Sequence, residues 1–350
     1  MSKYKIYLRN TLIGALAFVI CFGMGVGLVG LFQGDKTTDP NDTATIVDKK
    51  RTDILLLGVD ARPGETDNAR SDTIILASID PTLNRTALVS IPRDTKISGS
   101  VNSGMDKINA ANVLGGPEMA VTKVEELMGE KIDYYIEVDF EGFKNIIDTL
   151  GGVTIDVDQR MYKPSEDIDL QKGVQKLNGY DALGYVRFRG YMNGDIDRTA
   201  HQQVFLKALG QELLKPATIV KLPTLIREAR ANVKTNLGLT DMLKIATWAP
   251  GFSGDSIVAQ TLPGYFSDSR NADGVLTSSY WVADKSSLST LLDKMLAGET
   301  VPYLVAAPAG ARTTTASPPP TTAAVTTPTE TEKAALERSK LPSPGHGVKI

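Results

Sequence analysis

One cysteine and two histidines in 350 residues remove several chemistries at once. Cys21, standing alone, rules out an intrachain disulfide. With only Cys21, His201 and His346 available, a zinc finger or any other Cys/His zinc site is excluded. A Ser-His-Asp triad would have to use His201, because His346 lies in a low-complexity tail. Neither a G-x-S-x-G elbow nor a Walker A loop occurs. A formal net charge of −3 leaves no electrostatic footprint for bulk nucleic-acid binding, so no nucleic-acid partner is expected. Any chemistry here must run on carboxylates, arginines and hydroxyls, with or without a hard metal ion.

The composition is 42% hydrophobic and 23% charged, which supports a globular core. Charge is unevenly spread. Residues 11–32 form 22 consecutive residues without a charge, enough for roughly 30 Å of helix, the hydrocarbon thickness of a bilayer. Lys3, Lys5 and Arg9 precede the run, and Asp35, Asp39 and Asp42 follow it. The positive-inside rule then places residues 1–10 in the cytoplasm and everything after Phe32 outside. The run is longer than a signal-peptide core and no A-x-A site follows, so the expectation is an uncleaved single-pass anchor in the cell membrane. Residues 33–51 read as a polar stalk. Residues 306–350 hold 9 Thr and 7 Pro with almost no apolar periodicity and read as a disordered tail.

Between these lie runs of a different kind. Asp53–Asp60, Ser71–Ile79 and Arg85–Ile91 are short, apolar and rich in β-branched residues, as expected of strands buried on both faces of an α/β sheet. Pro81 and Asn84 predict a hairpin between the second and third. Further on, helices are expected over 117–128, 143–150 and 178–185, and strands over 134–140 and 153–157. Val186-Arg-Phe-Arg189 reads as extended, with Arg187 and Arg189 on one side and Val186 and Phe188 in the core. Asp197 is expected to N-cap a helix running to about Leu214. Residues 217–297 read as mostly helical, with a strand near 256–262.

Charge concentrates beside these apolar runs. Asp60 and Arg93 fall at the carboxyl ends of expected strands, where open α/β sheets place ligands. Asp72 opens its strand; if that strand runs antiparallel to the first, Asp60 and Asp72 converge at one rim. Arg93, Arg187, Arg189 and Arg198 could then form a forked cluster suited to phosphate. Two carboxylates with several arginines are the inventory for a metal-held phosphate or pyrophosphate. Each segment alone also fits a rim salt bridge or a turn. Only their conjunction points to an anionic ligand, and outside a membrane that ligand would be lipid-linked or part of an envelope polymer.

Seven segments resemble the successive motifs of LytR-CpsA-Psr proteins, in order, over 53–214: Asp53-Ile-Leu-Leu-Leu-Gly-Val-Asp-Ala-Arg62, Arg70-Ser-Asp-Thr73, Ser90-Ile-Pro-Arg-Asp94, Lys107-Ile-Asn-Ala110, Asp148-Thr-Leu-Gly-Gly-Val153, Ala182-Leu-Gly-Tyr-Val-Arg-Phe-Arg189 and Gly194-Asp-Ile-Asp-Arg198. The resemblance implies an α/β catalytic core over 52–214 with a central mixed sheet flanked by helices, continued by a C-terminal part over 215–300. It implies a phosphotransferase that moves a glycopolymer, such as teichoic acid or capsular polysaccharide, from undecaprenyl pyrophosphate to peptidoglycan. Carried over by motif, Asp60 and Asp72 would hold Mg²⁺ (or Mn²⁺). Arg70, Arg93, Arg187, Arg189, Arg198 and Gln202 would bind the pyrophosphate, Arg93 and Arg198 taking part in catalysis, and Asp195 would be the base. Two positions depart from the pattern: Asp197 stands where the family usually has Gly, and His201 where it has Arg. Asp197 would weaken anion binding or act only as a cap, and His201 is a neutral stand-in or a pH-sensitive base. A lipid-pyrophosphate hydrolase and a non-catalytic prenyl-phosphate-binding envelope scaffold or sensor remain as alternatives.

Overall fold

The computed structural model describes residues 51–60, 69–97, 105–190, 195–219, 222–248, 251–273 and 275–307. The expected anchor, all of the stalk but Arg51, and all but two residues of the tail lie outside this set. No helix among the described residues is long and apolar enough to cross a membrane.

The first three runs form strands β1 (Thr52–Val59), β2 (Ser71–Asp80) and β3 (Arg85–Ser90), and every residue of β1 and β2 is buried. The hairpin between β2 and β3 forms where expected. Asp80 accepts from the Thr82 and Leu83 amides, and Asn84 takes the left-handed conformation that closes the turn. Next come helix α1 (Ala111–Met128), β4 (Tyr134–Val138), α2 (Phe140–Leu150), β5 (Val153–Val157), β6 (Met161–Lys163), β7 (Ile168–Leu170), β8 (Gly173–Leu177) and α3 (Gly179–Arg187). The chain continues through α4 (Asp195–Leu213), α5 (Pro216–Ile219), α6 (Leu222–Arg230), β9 (Lys234–Thr235), α7 (Leu239–Ala246), β10 (Ile257–Thr261), β11 (Gly264–Arg270), β12 (Leu276–Ala283), α8 (Lys285–Leu288) and α9 (Leu291–Leu296).

Six strands make one mixed sheet in the order β10-β3-β2-β1-β4-β9. β1 runs antiparallel to β2 and parallel to β4, and β10 runs parallel to β3. Alternation along β1 sends Ile54 and Leu56 into one core and Leu55 and Leu57 into the other. The first core is closed by α2, α3, α4, α6 and α7, through residues such as Phe143, Tyr185, Phe205 and Ile245. The second is closed by α1, Trp281 and α9. Continuous apolar strands are the signature of a sheet covered on both sides, and that is the arrangement found.

Several local expectations are corrected. Phe140 opens α2 rather than ending β4, because Asp139 caps the helix by accepting from the Gly142 amide at 2.8 Å. α1 begins at Ala111, six residues before the expected start, with its kink at Gly115 and Gly116. α4 begins at Asp195, so Asp197 is its third residue and not its N-cap. Residues 217–297 are not mostly helical: β11 and β12 form a hairpin packed on the second core through Trp281. Its alternating polar residues gave no continuous apolar run to read.

Candidate active site

The carboxyl ends of β1 and β3 and the amino end of β2 meet at one rim, since β2 runs antiparallel to both neighbours. Thr73 faces Gly58 and Ser71 faces Val59, so Asp72 has no partner across the ladder. This is a β-bulge, a device that re-aims one side chain. Asp60 follows immediately on β1 and is half-buried. The two acids therefore do come to one rim, as the antiparallel reading requires.

Asp72 is 4% exposed, and its Oδ1 accepts from Arg93 Nη1 at 2.9 Å. Arg93 stands just past β3, after Pro92. The plain reading of a rim salt bridge is thus realised for this pair. It leaves Asp72 Oδ2 buried with no hydrogen-bond partner among the described residues. An orphaned carboxylate oxygen in a dry site is costly and calls for a cation or donor. Arg70 is exposed at the same rim.

The opposing wall comes from the helices of the first core. Arg187 is not in an extended segment; it is the last residue of α3, with Phe188 as the C-cap. Amphipathic packing of Ala182, Leu183 and Val186 continues the helix that far. Arg187 is 8% exposed, and its guanidinium lies 5.1 Å from the centroid of the Phe140 ring. Phe140 sits two residues past the carboxyl end of β4, which runs parallel to β1, so Arg187 reaches the same rim. Arg189 is half-buried in the segment that follows.

Arg198 and Gln202 lie one turn apart on α4, hence on one face. Arg198 is only 2% exposed. Gln202 donates to the Val186 carbonyl at 3.4 Å, joining α4 to the last turn of α3. Gln203 donates to Ser90 Oγ and Thr261 Oγ1, both at 3.1 Å. Those bonds fix α4 to the carboxyl ends of β3 and β10, beside the segment that carries Arg93. Asp195 opens α4; its side chain, like that of Asp197, lies outside the described set.

His201 pairs with an acid outside the motifs. It is 8% exposed, and its Nε2 lies 3.1 Å from Oδ2 of Asp158, just beyond β5. The hydrogen bond to His201 holds the Asp158 carboxyl below its ordinary value. Tyr185 packs edge-on to the His201 ring at 6.0 Å, and burial pushes its phenol up. An Asp whose folded pKa is depressed adds stability above its unfolded value and loses it as pH falls through the folded one. Asp158→Asn is therefore expected to cost little, below about 1 kcal/mol at neutral pH because the carboxyl is half exposed. The difference from wild type should begin to shrink as pH drops below about 4 and vanish once it passes below the depressed folded value. Urea midpoints at pH 7 and pH 3 check this.

Sequence reasoning missed one supporting group. Asn112, fully buried on the first turn of α1, donates to the Ala69 carbonyl at 2.9 Å and to Glu137 Oε2 at 2.8 Å. It anchors the backbone just before Arg70 and Asp72 to β4. A buried Asn opening a helix is the only sequence signal it leaves, and that signal also fits a simple turn.

Among the described residues, no group of three or more His, Cys, Asp or Glu could together hold a metal. Asp60 and Asp72 suit a hard divalent cation that keeps substrate oxygens and waters as its other ligands. The buried arginines of the facing wall suit an oxyanion.

The LytR_cpsA_psr family model matches residues 32–297. The polyisoprenyl-teichoic acid–peptidoglycan teichoic acid transferase TagV of Bacillus subtilis strain 168 is 31% identical over 280 residues, 74% of this chain and 71% of its own. The corresponding transferase TagU of Bacillus licheniformis is 31% identical over 282 residues, 79% of this chain and 88% of its own. The crystal structure of B. subtilis TagV superposes with a TM-score of 0.60 at 32% identity, covering 73% of this chain and 99% of that one. The mixed-sheet fold is thus shared with a solved relative, and the chain belongs to the LytR_cpsA_psr family.

Proposed function

We propose that this chain is a membrane-anchored, extracytoplasmic phosphotransferase that moves a glycopolymer from undecaprenyl pyrophosphate to peptidoglycan. One observation carries the reading. The bulge at Asp72 and its Arg93 partner stand at the same rim as Arg187, Arg198 and Gln202, which come from separate helices. Buried arginines on independent helices beside a rim that carries a buried acid suit a polyanionic, metal-held ligand better than a structural ion pair. The relatives' activity as polyisoprenyl-linked teichoic acid transferases supports it.

In this mechanism Arg187, Arg189 and Arg198 bind the pyrophosphate oxygens, and Arg70 adds positive charge at the mouth. Arg93, oriented by Asp72, stabilises the charge that develops on the transferred phosphoryl group. Asp195 accepts the proton of a peptidoglycan sugar hydroxyl. The hydroxyl oxygen bonds to the sugar-proximal phosphorus, and the bond from that phosphorus to the bridging oxygen breaks. Undecaprenyl phosphate leaves with the electron pair. Mg²⁺ or Mn²⁺, held by Asp60 and Asp72, would neutralise charge on the pyrophosphate.

The test is a purified full-length protein given an undecaprenyl-pyrophosphate glycan and peptidoglycan fragments. A product with a new sugar–phosphate linkage to peptidoglycan is expected. Free phosphate ends in place of that linkage would identify a hydrolase. Bound lipid without turnover would identify a scaffold or sensor.

A further inference from the structure

Asn112 has a partner that the transfer mechanism leaves unused. Glu137 lies one residue from the carboxyl end of β4, opposite Leu57 of β1. It is 6% exposed, and its Oε2 accepts from Asn112 Nδ2 at 2.8 Å. A carboxylate only accepts, so Glu137 requires the amide nitrogen of Asn112, not its oxygen, to face it. The second hydrogen of that nitrogen is then directed at the Ala69 carbonyl, 2.9 Å away.

Stability alone does not account for this pair. A buried carboxylate is costly, and Asn112 Oδ1 is buried with no hydrogen-bond partner among the described residues. Apolar side chains of the same shape at both positions would close α1 onto β4 at little or no loss. They would not hold the Ala69 carbonyl. Ala69 stands three residues before Asp72, at the entry to β2. The ladder does not fix Asp72 itself, because the bulge leaves it without a partner across the strands. Its aim therefore depends on how the chain enters β2.

The stretch that carries Asn112 also holds the other half of the ion pair. The 3₁₀ turn Ile108–Ala110 leads directly into α1. The Asn109 amide donates to the Arg93 carbonyl at 3.2 Å, and the Ile108 amide donates to the Thr95 carbonyl at 2.8 Å. Residues 108–112 thus grip the backbones behind both Asp72 and Arg93, and Glu137 ties that grip to the central sheet.

We propose that Asn112 and Glu137 are positioning residues for the transfer reaction: through Ala69 they set the aim of Asp72 toward Arg93 and toward a divalent cation. This rests on the reading of the rim as the metal and phosphoryl site. Groups that orient a metal ligand from behind contribute about 10–100-fold in metal affinity or activity.

The test exchanges donor and acceptor in the full chain. Asn112→Asp alone sets one carboxylate against another and should lower the melting temperature. Adding Glu137→Gln restores a hydrogen bond between the two positions and keeps the net charge of wild type, but leaves position 112 with no donor for Ala69. The double variant should regain most of the melting temperature. The Mn²⁺ concentration for half-maximal thermal stabilisation should still rise about tenfold, and kcat should fall about tenfold with KM for the lipid donor nearly unchanged. Amide hydrogen exchange over residues 71–74 should quicken while β4 stays protected. Asn112→Ala, which deletes the donor without adding charge, should show the same changes and decides the matter where the exchange fails to fold. A pair that only stabilises the fold would give back the Mn²⁺ midpoint, kcat and exchange together with the melting temperature, and that result overturns the proposal. Quickened exchange over 71–74 in the variants, with a wild type that neither responds to Mn²⁺ nor transfers, would sink the reading of the rim and leave the hold on β2 standing. A wild type that responds to Mn²⁺ and transfers, with variants that do so equally well, would sink the positioning role alone.

Discussion

Arg93→Ala is expected to lower polymer transfer by about 10²–10³-fold, the usual effect of removing one preorganised donor from a developing oxyanion. The same change strands Asp72, whose carboxyl is 2% exposed and otherwise paired at 2.9 Å. Removing one partner of a buried pair costs about 3 kcal/mol. Lost activity in the single variant could therefore reflect unfolding. Arg93→Lys separates the two effects. It leaves a cation beside Asp72, so it should keep most of the thermal stability, but it lacks the planar guanidinium fork. It should not recover transfer. Recovery of transfer along with stability would show that Arg93 acts only as the counter-ion of Asp72. Melting curves and the transfer assay, run on the same preparations, decide between these outcomes.

Chelation is expected to lower transfer by at least about 100-fold, with Mg²⁺ or Mn²⁺ restoring it. The expectation rests on Asp72. Its Oδ1 is committed to Arg93, and its Oδ2 is buried with no donor among the described residues. A cation would satisfy that oxygen, and Asp60 brings a second carboxylate to the same rim. A readout independent of activity follows from ligand linkage, since a cation that binds only the folded chain raises its melting temperature. Millimolar Mn²⁺ should raise the melting temperature of wild type and leave that of Asp72→Asn nearly unmoved. Full activity in the presence of chelator would remove the metal from the mechanism. An equal thermal shift in Asp72→Asn would move the metal away from this carboxylate.

Much of the rim was legible because its residues sit where strand runs begin and end. Ile-Leu-Leu-Leu in β1 and Ile-Ile-Leu in β2 are buried on both faces, so composition alone marks them and places Asp60 and Asp72 at their ends. The Asp80–Asn84 turn was legible for the same local reason. The arginines on the helical wall were less so. Val186-Arg-Phe-Arg189 alternates like a strand, yet packing of α3 on α2 and α4 keeps Arg187 helical. Tertiary burial overrode a four-residue pattern.

The sequence by itself determined the family motifs, the chemistry left open by one cysteine and two histidines, and the hairpin between β2 and β3. Each follows from residue type or from neighbours a few positions apart. Only the tertiary structure decided that Asp72 sits on a bulge, that Arg93 is its ion pair, and that Asn112 anchors the segment before it. It alone placed Glu137 against Asn112 and docked the β11–β12 hairpin on the second core. Bulges, ion pairs and docked hairpins depend on register between segments far apart in the chain. Local propensity and spacing carry no information about that register until the core has formed.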